Sequence, residues 1–188
     1  MHGKITLTAL GLTAALATAG WASGDTAAMT SYVQEQVAAW ASDPELVAAV
    51  QASNVRHAGM AEADLLALDV AWRAEVGAAT APTIGAVADS AASGILRAAV
   101  AASGGRITEI ILMDDHGMNA AISAVTSDFW QGDEPKFQET FPTGAVHASE
   151  VEFDESTQIY QVQISMPFTT ADGVAIGAVT VGVDVDAF

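Results

Sequence analysis

Residues 158–168 read Gln-Ile-Tyr-Gln-Val-Gln-Ile-Ser-Met-Pro-Phe, and this stretch decides the fold. Its side chains alternate in character. The apolar set is Tyr160, Val162, Ile164, Met166 and Phe168, and the polar set between them is Gln161, Gln163 and Ser165. Because successive side chains of a β-strand point to opposite faces, the stretch predicts a strand with one face in a core. The other face is expected to meet either solvent or a polar-lined cavity.

Apolar runs on both sides of this stretch predict an antiparallel sheet. The predicted strands are 107–113, 119–125, 146–153, 158–168 and 174–185. The turn Asp114-Asp-His-Gly117 is expected to close a hairpin between the first two strands. The last strand is apolar on both sides and holds Gly177 and Gly182, which permit a close backbone approach. It is therefore predicted to lie centrally in the sheet.

The chain before residue 105 predicts helices. Ser42-Asp-Pro-Glu45 is typical of a capping box that closes one helix and opens the next. Another helix is expected to begin at Thr80-Ala-Pro82 and to end at 103–105. Residues at helical spacing predict a buried stripe, which consists of Leu65, Leu68, Trp72 and Val76. The predicted fold class is α+β, with a helical lead at 25–104 packed on a five-stranded antiparallel sheet at 105–188, together forming one domain.

The composition excludes several classes of partner and chemistry. The 188 residues include 6 Lys and Arg against 23 Asp and Glu, a formal net charge of -17. Such a surface repels phosphate backbones and anionic lipid headgroups, so neither nucleic acid nor a membrane surface is an expected partner. The sequence contains no cysteine, which excludes disulfides, cysteine-ligated metals and thiol catalysis.

The first residues are typical of an export signal. Lys4 precedes an apolar, uncharged run, 5–19, that ends in Ala17-Thr-Ala19. Cleavage is expected after residue 19, with Gly20-Trp-Ala22 as a second option. The alternative is an uncleaved membrane anchor, but the run is short for a bilayer span. The mature chain is therefore expected to lie in a periplasm, without a stable membrane anchor.

Between the second and third predicted strands lies an excursion, 126–137, that reads Thr-Ser-Asp-Phe-Trp-Gln-Gly-Asp-Glu-Pro-Lys-Phe. A segment so rich in aromatic and polar groups, held between strands, is where a small ligand would bind. Its candidate binding residues are Asp128, Phe129, Trp130, Gln131, Asp133 and Lys136. The two aromatic rings would form a wall, and Asp128 and Gln131 would give directional hydrogen bonds. Alternatively, the rings cap the end of a core while the carboxylates face water.

Trp72 and Arg73 complete the candidate set. Arg73 follows Asp69 by four residues, a spacing that predicts an ion pair worth about 0.2–0.5 kcal/mol. Alternatively, Arg73 turns toward an anionic ligand.

The charge of the ligand is left open by the sequence. Arg73 or Lys136 would be the counter-ion of an anionic ligand. A cationic ligand would instead suit Asp128, Asp133 and Trp130, through ion pairing and a cation–π contact.

Six short motifs occur in order along the chain. They are Leu68-Asp-x-x-Trp-Arg73, Met113-Asp-x-x-Gly117, Ser127-Asp-Phe-Trp-Gln-Gly-Asp-Glu134, Val151-Glu-Phe-Asp-Glu-Ser156, Gln163-Ile-Ser-x-Pro167 and Asp172-Gly-x-x-Ile-Gly-Ala178. Together they cover roughly 64–185. This set resembles the Cache superfamily, in the stand-alone, PAS-like form of PDC-type extracytoplasmic sensor domains.

The resemblance implies a small-molecule pocket on one sheet face, under the excursion, and it implies no cofactor. Cache domains bind amino acids, carboxylates, amines or purines, usually for a chemoreceptor or a histidine kinase. Because Phe188 ends the sequence just after the last predicted strand, the expected partner is a separate membrane receptor or histidine kinase that receives the signal. The full Tyr/Arg/Trp/Tyr/Asp motif of the amino-acid-binding double-Cache group is not found, so that ligand is not carried over.

Two other functions are less well supported by the sequence. The first is a ligand-free interaction module, in which the apolar face of the helical lead pairs with a second copy, giving a homodimer, or docks on a receptor. That face consists of Val33, Val37, Trp40, Leu46, Val47 and Val50. Packing of these residues on the chain's own sheet is equally expected.

The second is a hydrolytic enzyme. His57, His116 and His147 lack the spacing of a zinc site. The serines lack a nucleophile-elbow setting, and Asp114-Asp115 resembles a calcium loop only superficially, because the later ligands are missing. No catalytic or metal-binding residue is therefore predicted.

Overall fold

The computed structural model describes residues 23–154 and 158–188. The predicted export signal at 1–19 lies outside these residues. The helices are α1 (Ser23–Trp40), α2 (Pro44–His57), α3 (Glu62–Glu75), α4 (Pro82–Ala88), α5 (Ala91–Ala102) and α6 (Pro135–Gln138). The strands are β1 (Ile107–Met113), β2 (Asn119–Ile122), β3 (His147–Ala148), β4 (Glu152–Asp154), β5 (Ile159–Thr169) and β6 (Ala175–Asp184), followed by a short 3-10 helix, Val185–Ala187.

The strands form one antiparallel sheet in the order β2-β1-β6-β5-β3, with β4 also paired to β5. The predicted α+β class is confirmed. The predicted five-stranded antiparallel sheet is confirmed as well, because five strands form the path across the sheet and β4 continues the β3 side. The central place predicted for the last strand is confirmed as well, because β6 lies between β1 and β5.

Two glycines of β6 allow neighbouring groups to approach its backbone closely. A Cβ atom at Gly177 would lie 2.0 Å from the carbonyl oxygen of Met113. At Gly182 it would lie 2.3 Å from Thr108 Oγ1. Both distances are far below ordinary van der Waals contact, so only glycine fits these two positions without a shift of the neighbours.

The predicted strand 146–153 is instead two short strands, β3 and β4, on the same side of β5. Between them, Ser149 continues the pairing irregularly: its N–H donates to the Gln163 carbonyl at 2.9 Å, and its hydroxyl accepts from the Gln163 N–H at 3.0 Å. The predicted strand 119–125 also ends early, at Ile122.

The start of α2 differs from the predicted capping box. Asp43, and not Ser42, caps the helix, because its carboxylate accepts a hydrogen bond from the Glu45 N–H at 2.9 Å. Pro44 occupies the first helical position, as expected.

The helix predicted from Pro82 onward is divided into α4 and α5, which meet at an angle of 63°. Ser90 breaks it by capping α5, with its hydroxyl accepting from the Ser93 N–H at 3.1 Å. The Ser93 hydroxyl in turn donates to the Val87 carbonyl and accepts from the Ile122 N–H. The break therefore ties the end of α4 and the start of α5 to strand β2.

The core has two parts. One is built by α1, α2 and α5 against β5 and β6, and it contains Val33, Val37, Leu46, Val50, Leu96, Val162, Ile164, Val179 and Val181. The apolar face proposed for an interaction module is thus largely used inside the chain's own core. The second part surrounds Trp72 and Phe129. Of the predicted stripe on α3, Leu65 and Trp72 are buried, whereas Val76 is 46% exposed because it lies just past the helix end.

Among residues 23–154 and 158–188, no single helix is both long and apolar enough to cross a membrane. Only the bent pair α4 and α5, taken together, meets that test of length and composition.

Replacing Gly177 with alanine tests the packing of the central strand. We expect Gly177→Ala to lower the free energy of unfolding by about 1–3 kcal/mol, because the new methyl group would overlap the Met113 carbonyl. Urea denaturation measures the change. Gly94→Ala is the matched control: it lies in α5, where a Cβ meets nothing closer than 3.8 Å, and should be neutral or stabilising. Equal stability of the two variants would contradict the close approach.

Candidate ligand-binding site

The excursion 126–137 is held in place by the carboxylate of Asp69, which is 2% exposed. Asp69 Oδ1 accepts hydrogen bonds from the N–H groups of Phe129 and Trp130, at 2.7 and 3.1 Å. Its Oδ2 lies 2.7 Å from Arg73 on the next turn of α3. The predicted ion pair between Asp69 and Arg73 is therefore present, and the same carboxylate also fixes the start of the excursion.

Two of the predicted site aromatics lie in the core. The rings of Phe129 and Trp72 stack with centroids 4.8 Å apart and planes 6° apart. Trp72 is fully buried, and its indole N–H donates to the Thr126 carbonyl at 2.8 Å. These rings therefore anchor the excursion to α3.

The indole of Trp130 lies against the β1–β2 hairpin. Its N–H donates to the His116 carbonyl at 2.8 Å, and its backbone forms an isolated bridge with Met118. A Cβ atom at Gly132 would lie 2.3 Å from the indole nitrogen, so the ring covers this glycine closely. Trp130 thus joins the excursion to the hairpin turn.

The hairpin turn is itself organised by the fully buried carboxylate of Asp114. Its Oδ2 lies 2.5 Å from His57 Nδ1 and 2.8 Å from Ser53 Oγ, and its Oδ1 accepts from the N–H groups of His116 and Met118. Burial raises the pKa of Asp114, but the hydrogen bonds from these four residues lower it by more. The pKa therefore lies below the ordinary value of an aspartate.

A cavity of about 590 Å³ opens between the sheet and the excursion. Its floor is the polar face of β5 together with β1, and its walls are the excursion, α6 and β4. The lining side chains are Glu109, Ile111, Val125, Thr126, Ser127, Asp128, Gln131, Glu134, Lys136, Glu152, Phe153, Asp154, Gln161 and Gln163. The cavity therefore lies on the sheet face that the alternation in β5 predicts to be polar.

The floor of the cavity is a hydrogen-bonded network. Gln163 Nε2 donates to Glu109 Oε1 at 2.9 Å, and Gln161 Oε1 accepts from the Thr108 hydroxyl at 2.6 Å. Gln161 Nε2 lies 3.4 Å from the same Glu109 oxygen. These bonds hold Glu109 at the base of the cavity.

The two candidate counter-ions for an anionic ligand are already paired with carboxylates. Arg73 Nε lies 2.8 Å from Asp128 Oδ1, in addition to its contact with Asp69. Lys136 Nζ lies 3.1 Å from Glu134 Oε2 and donates to Gln131 Oε1 at 3.2 Å. The positive charge of each side chain is therefore already balanced by a carboxylate of the protein.

The cavity brings together three of the eight predicted site residues, Asp128, Gln131 and Lys136. The other five lie outside its lining: Phe129, Trp130, Trp72, Arg73 and Asp133. The aromatic wall is therefore a support for the excursion and not a surface of this cavity.

Several lining residues were missed by sequence reasoning. Glu109 is isolated in an apolar strand. Glu152 and Asp154 belong to the motif 151–156, which carries part of the family resemblance but was not assigned to the ligand. The polar face of β5, against which β1 and β4 place these residues, is the sequence signal that could have found them.

A smaller cavity of about 370 Å³ adjoins the first. The two share Glu134, Lys136, Glu152 and Gln163. The lining of the smaller cavity is completed by Pro135, His147, Ala148, Ser149 and Glu150.

One cluster in the described part of the chain has three potential metal ligands within 4.8 Å of one another, namely Asp114, Asp115 and His116. Both carboxylate oxygens of Asp114 already accept hydrogen bonds from the protein, and these bonds explain why Asp114 is buried in the turn. Gly117 supplies the positive φ of 81° that such a turn needs. The predicted turn 114–117 is confirmed.

No protein-family model matches the chain, and no curated protein matches it in sequence. Solved structures do show a similar fold. The ligand-binding domain of the Campylobacter jejuni chemoreceptor Tlp3, in complex with 4-methylisoleucine, is 15% identical, with a TM-score of 0.41 over 87% of this chain and 59% of that one. The sensor domain of the V. cholerae histidine kinase DctB is 15% identical, with a TM-score of 0.38 over 86% of this chain and 58% of that one.

The chain spans about three-fifths of the length of these structures. The ligand therefore has to be argued from the cavity.

Removing the anchor of the excursion tests its role. We expect Asp69→Ala to lower the free energy of unfolding by about 3 kcal/mol, because two backbone N–H groups and Arg73 lose their shared acceptor. Urea denaturation measures the loss. Glu62→Ala, at an exposed position of the same helix, is the control and should change stability by less than about 0.5 kcal/mol. A similar small change in both variants would show that Asp69 is not the anchor.

The lowered pKa of Asp114 makes a prediction about acid stability. Because the folded pKa lies below the unfolded value, the folded chain binds fewer protons between the two values, and stability is lost as the pH falls through the folded pKa. Above the unfolded pKa, near 3.9, the contribution is fully present. We expect Asp114→Asn to reduce the loss of stability between about pH 4 and about pH 2, relative to the unsubstituted protein. Urea denaturation across this range measures it, and parallel pH profiles would contradict the assignment.

Proposed function

We propose that this chain is a periplasmic sensor domain that binds a small organic cation, an amine, in the 590 Å³ cavity. The bound state is read by a separate membrane receptor or histidine kinase. In this proposal the chain acts by binding and not by catalysis. A cavity of this size with a polar floor suits a metabolite.

The observation that carries the proposal is the charge of the lining. Five carboxylates line the cavity, from Glu109, Asp128, Glu134, Glu152 and Asp154. Two cations oppose them: Lys136, which lines the cavity and pairs with Glu134, and Arg73, which pairs with Asp128 from outside the lining. Among the described residues, neither Glu109 nor Glu152 forms an ion pair. The protein around the cavity focuses this negative potential into it. A cation is therefore attracted to the cavity, and an anion is repelled.

Apolar groups at the same cavity favour an organic cation. Ile111, Val125 and Phe153 contribute to the lining. Alkyl groups of an amine can contact these side chains, and an ammonium group can approach the aromatic faces. The glutamines of the floor supply fixed hydrogen-bonding partners.

Ligand binding would engage several elements at once. The cavity is bordered by the excursion and α6, and by β4, which is paired with β5 in the sheet. A ligand held between them strengthens the contacts of the walls with the sheet. Binding is therefore expected to stabilise the folded chain and to reduce the motion of α6, which is the change that a partner would sense.

A panel of small molecules tests the class of ligand. We expect amines such as butylamine and putrescine to raise the melting temperature and to give saturable heats in isothermal titration, because the cavity is anionic. Acetate and succinate should do neither. Glu109→Gln should weaken amine binding by about tenfold, which is one lost charge contact. Glu35→Gln, exposed on α1, is the control for net charge. Binding of the carboxylates, or of nothing in the panel, would overturn the proposal.

Lys136→Met decides between a cationic and an anionic ligand by the sign of its effect. Lys136 neutralises Glu134 inside the cavity wall. Its removal should tighten amine binding by roughly threefold to tenfold, because a competing cation is lost. An anionic ligand would instead lose affinity. Isothermal titration with butylamine and with succinate distinguishes the two, and weaker butylamine binding in this variant would contradict a cationic site.

A further inference from the structure

We infer that the ligand is a two-headed cation, a diamine whose two ammonium groups are joined by an uncharged chain and occupy the two adjoining cavities. This inference rests on the proposed function, since the first ammonium group uses the 590 Å³ cavity described above. The second cavity, of 370 Å³, gives the second ammonium group its place.

The two cavities adjoin each other, and together they are called the groove below. They share Glu134, Lys136, Glu152 and Gln163. Gln163 lies in β5 between Gln161 and Ser165. Gln161 lines only the first cavity. Ser165 pairs with His147 of β3, which lines only the second cavity. From Gln161 to Ser165 the strand rises by about 13 Å at 3.3 Å per residue. The groove therefore extends further along β5 than a single ammonium group requires.

Carboxylates lie at both ends of the groove. Glu109, Asp128 and Asp154 line only the first cavity, and Glu150 lines only the second. Glu134 and Glu152 are shared. The other titratable groups on the second cavity are His147 and the shared Lys136. Each end can thus accept an ammonium group without the two groups repelling each other at close range.

The middle of the groove already contains an ammonium group of the protein. The Lys136 side chain is 13% exposed, and its Nζ is held by Glu134 and by Gln131, which is 2% exposed. This contact shows that carboxylate and amide oxygens here bind a primary ammonium group. It also means that a charge at the centre of a ligand would be repelled. An uncharged chain between two terminal charges avoids that repulsion.

The spread of the carboxylates disfavours a single metal ion. A divalent cation needs several oxygen ligands at about 2.0–2.6 Å. Within the described residues, the one cluster with three ligand atoms that converge is at 114–116, outside the groove. The groove carboxylates are instead distributed along its length, which suits a ligand that is itself extended.

A series of diamines tests the inference. Isothermal titration would compare octylamine with octamethylenediamine, which has the same chain length and a second ammonium group, and with the shorter putrescine. We expect octamethylenediamine to bind about tenfold tighter than octylamine, because the second head adds an intramolecular contact. Putrescine should bind less tightly than octamethylenediamine because it is too short to reach both ends.

Glu150→Gln is the decisive variant because Glu150 lines only the second cavity and is exposed. This variant should bind octamethylenediamine about threefold to tenfold more weakly. Its affinity for octylamine should be unchanged. Glu35→Gln, with the same change of charge outside both cavities, should alter neither.

The outcomes separate this inference from the proposed function. If octylamine and octamethylenediamine bind equally, or if Glu150→Gln affects both alike, the two-headed ligand is wrong while an amine site stands. If none of these amines binds, both proposals are wrong. If calcium chloride competes fully with octamethylenediamine at micromolar concentration, the groove binds metal ions and the inference is overturned.

Discussion

The site depends on one buried carboxylate, that of Asp69. A free aspartate on a helix face would be hydrated, but here its oxygens accept from the backbone of Phe129 and Trp130 and pair with Arg73. These bonds connect α3 to a segment about 60 residues further along the chain and replace the water that burial removes. They set where the excursion begins, and the excursion in turn forms one wall of the cavity.

A second buried carboxylate, that of Asp114, does the same for the hairpin turn. It connects α2 to the turn through His57 and Ser53, and the turn carbonyl of His116 then binds the Trp130 indole. The excursion is thus held at its start by α3 and along its length by the hairpin. The rigid support lies on one side of it, and the polar cavity lies on the other.

The sequence predicted the fold better than the site, for a physical reason. Strand alternation and apolar runs are local, so β5, the central β6 and the polar face of the sheet could all be recognised from neighbouring residues. The contacts of Asp69 and Asp114 join residues far apart in the chain, and no local pattern contains them. For Trp130 and Phe129 the sequence leaves two uses open, ligand binding and packing, because aromatic rings serve both. In the structure both rings contact the chain itself, at Trp72 and at the hairpin turn.

The interruption between β3 and β4 has a consequence for the behaviour of the protein in solution. An exposed edge strand with a regular row of free backbone groups is a template on which another molecule can add a strand and begin to aggregate. Here that edge is presented only as two residues and then three, with Ser149 between them binding back to β5. The short, uneven edge therefore denies an incoming chain a continuous partner on this side of the sheet.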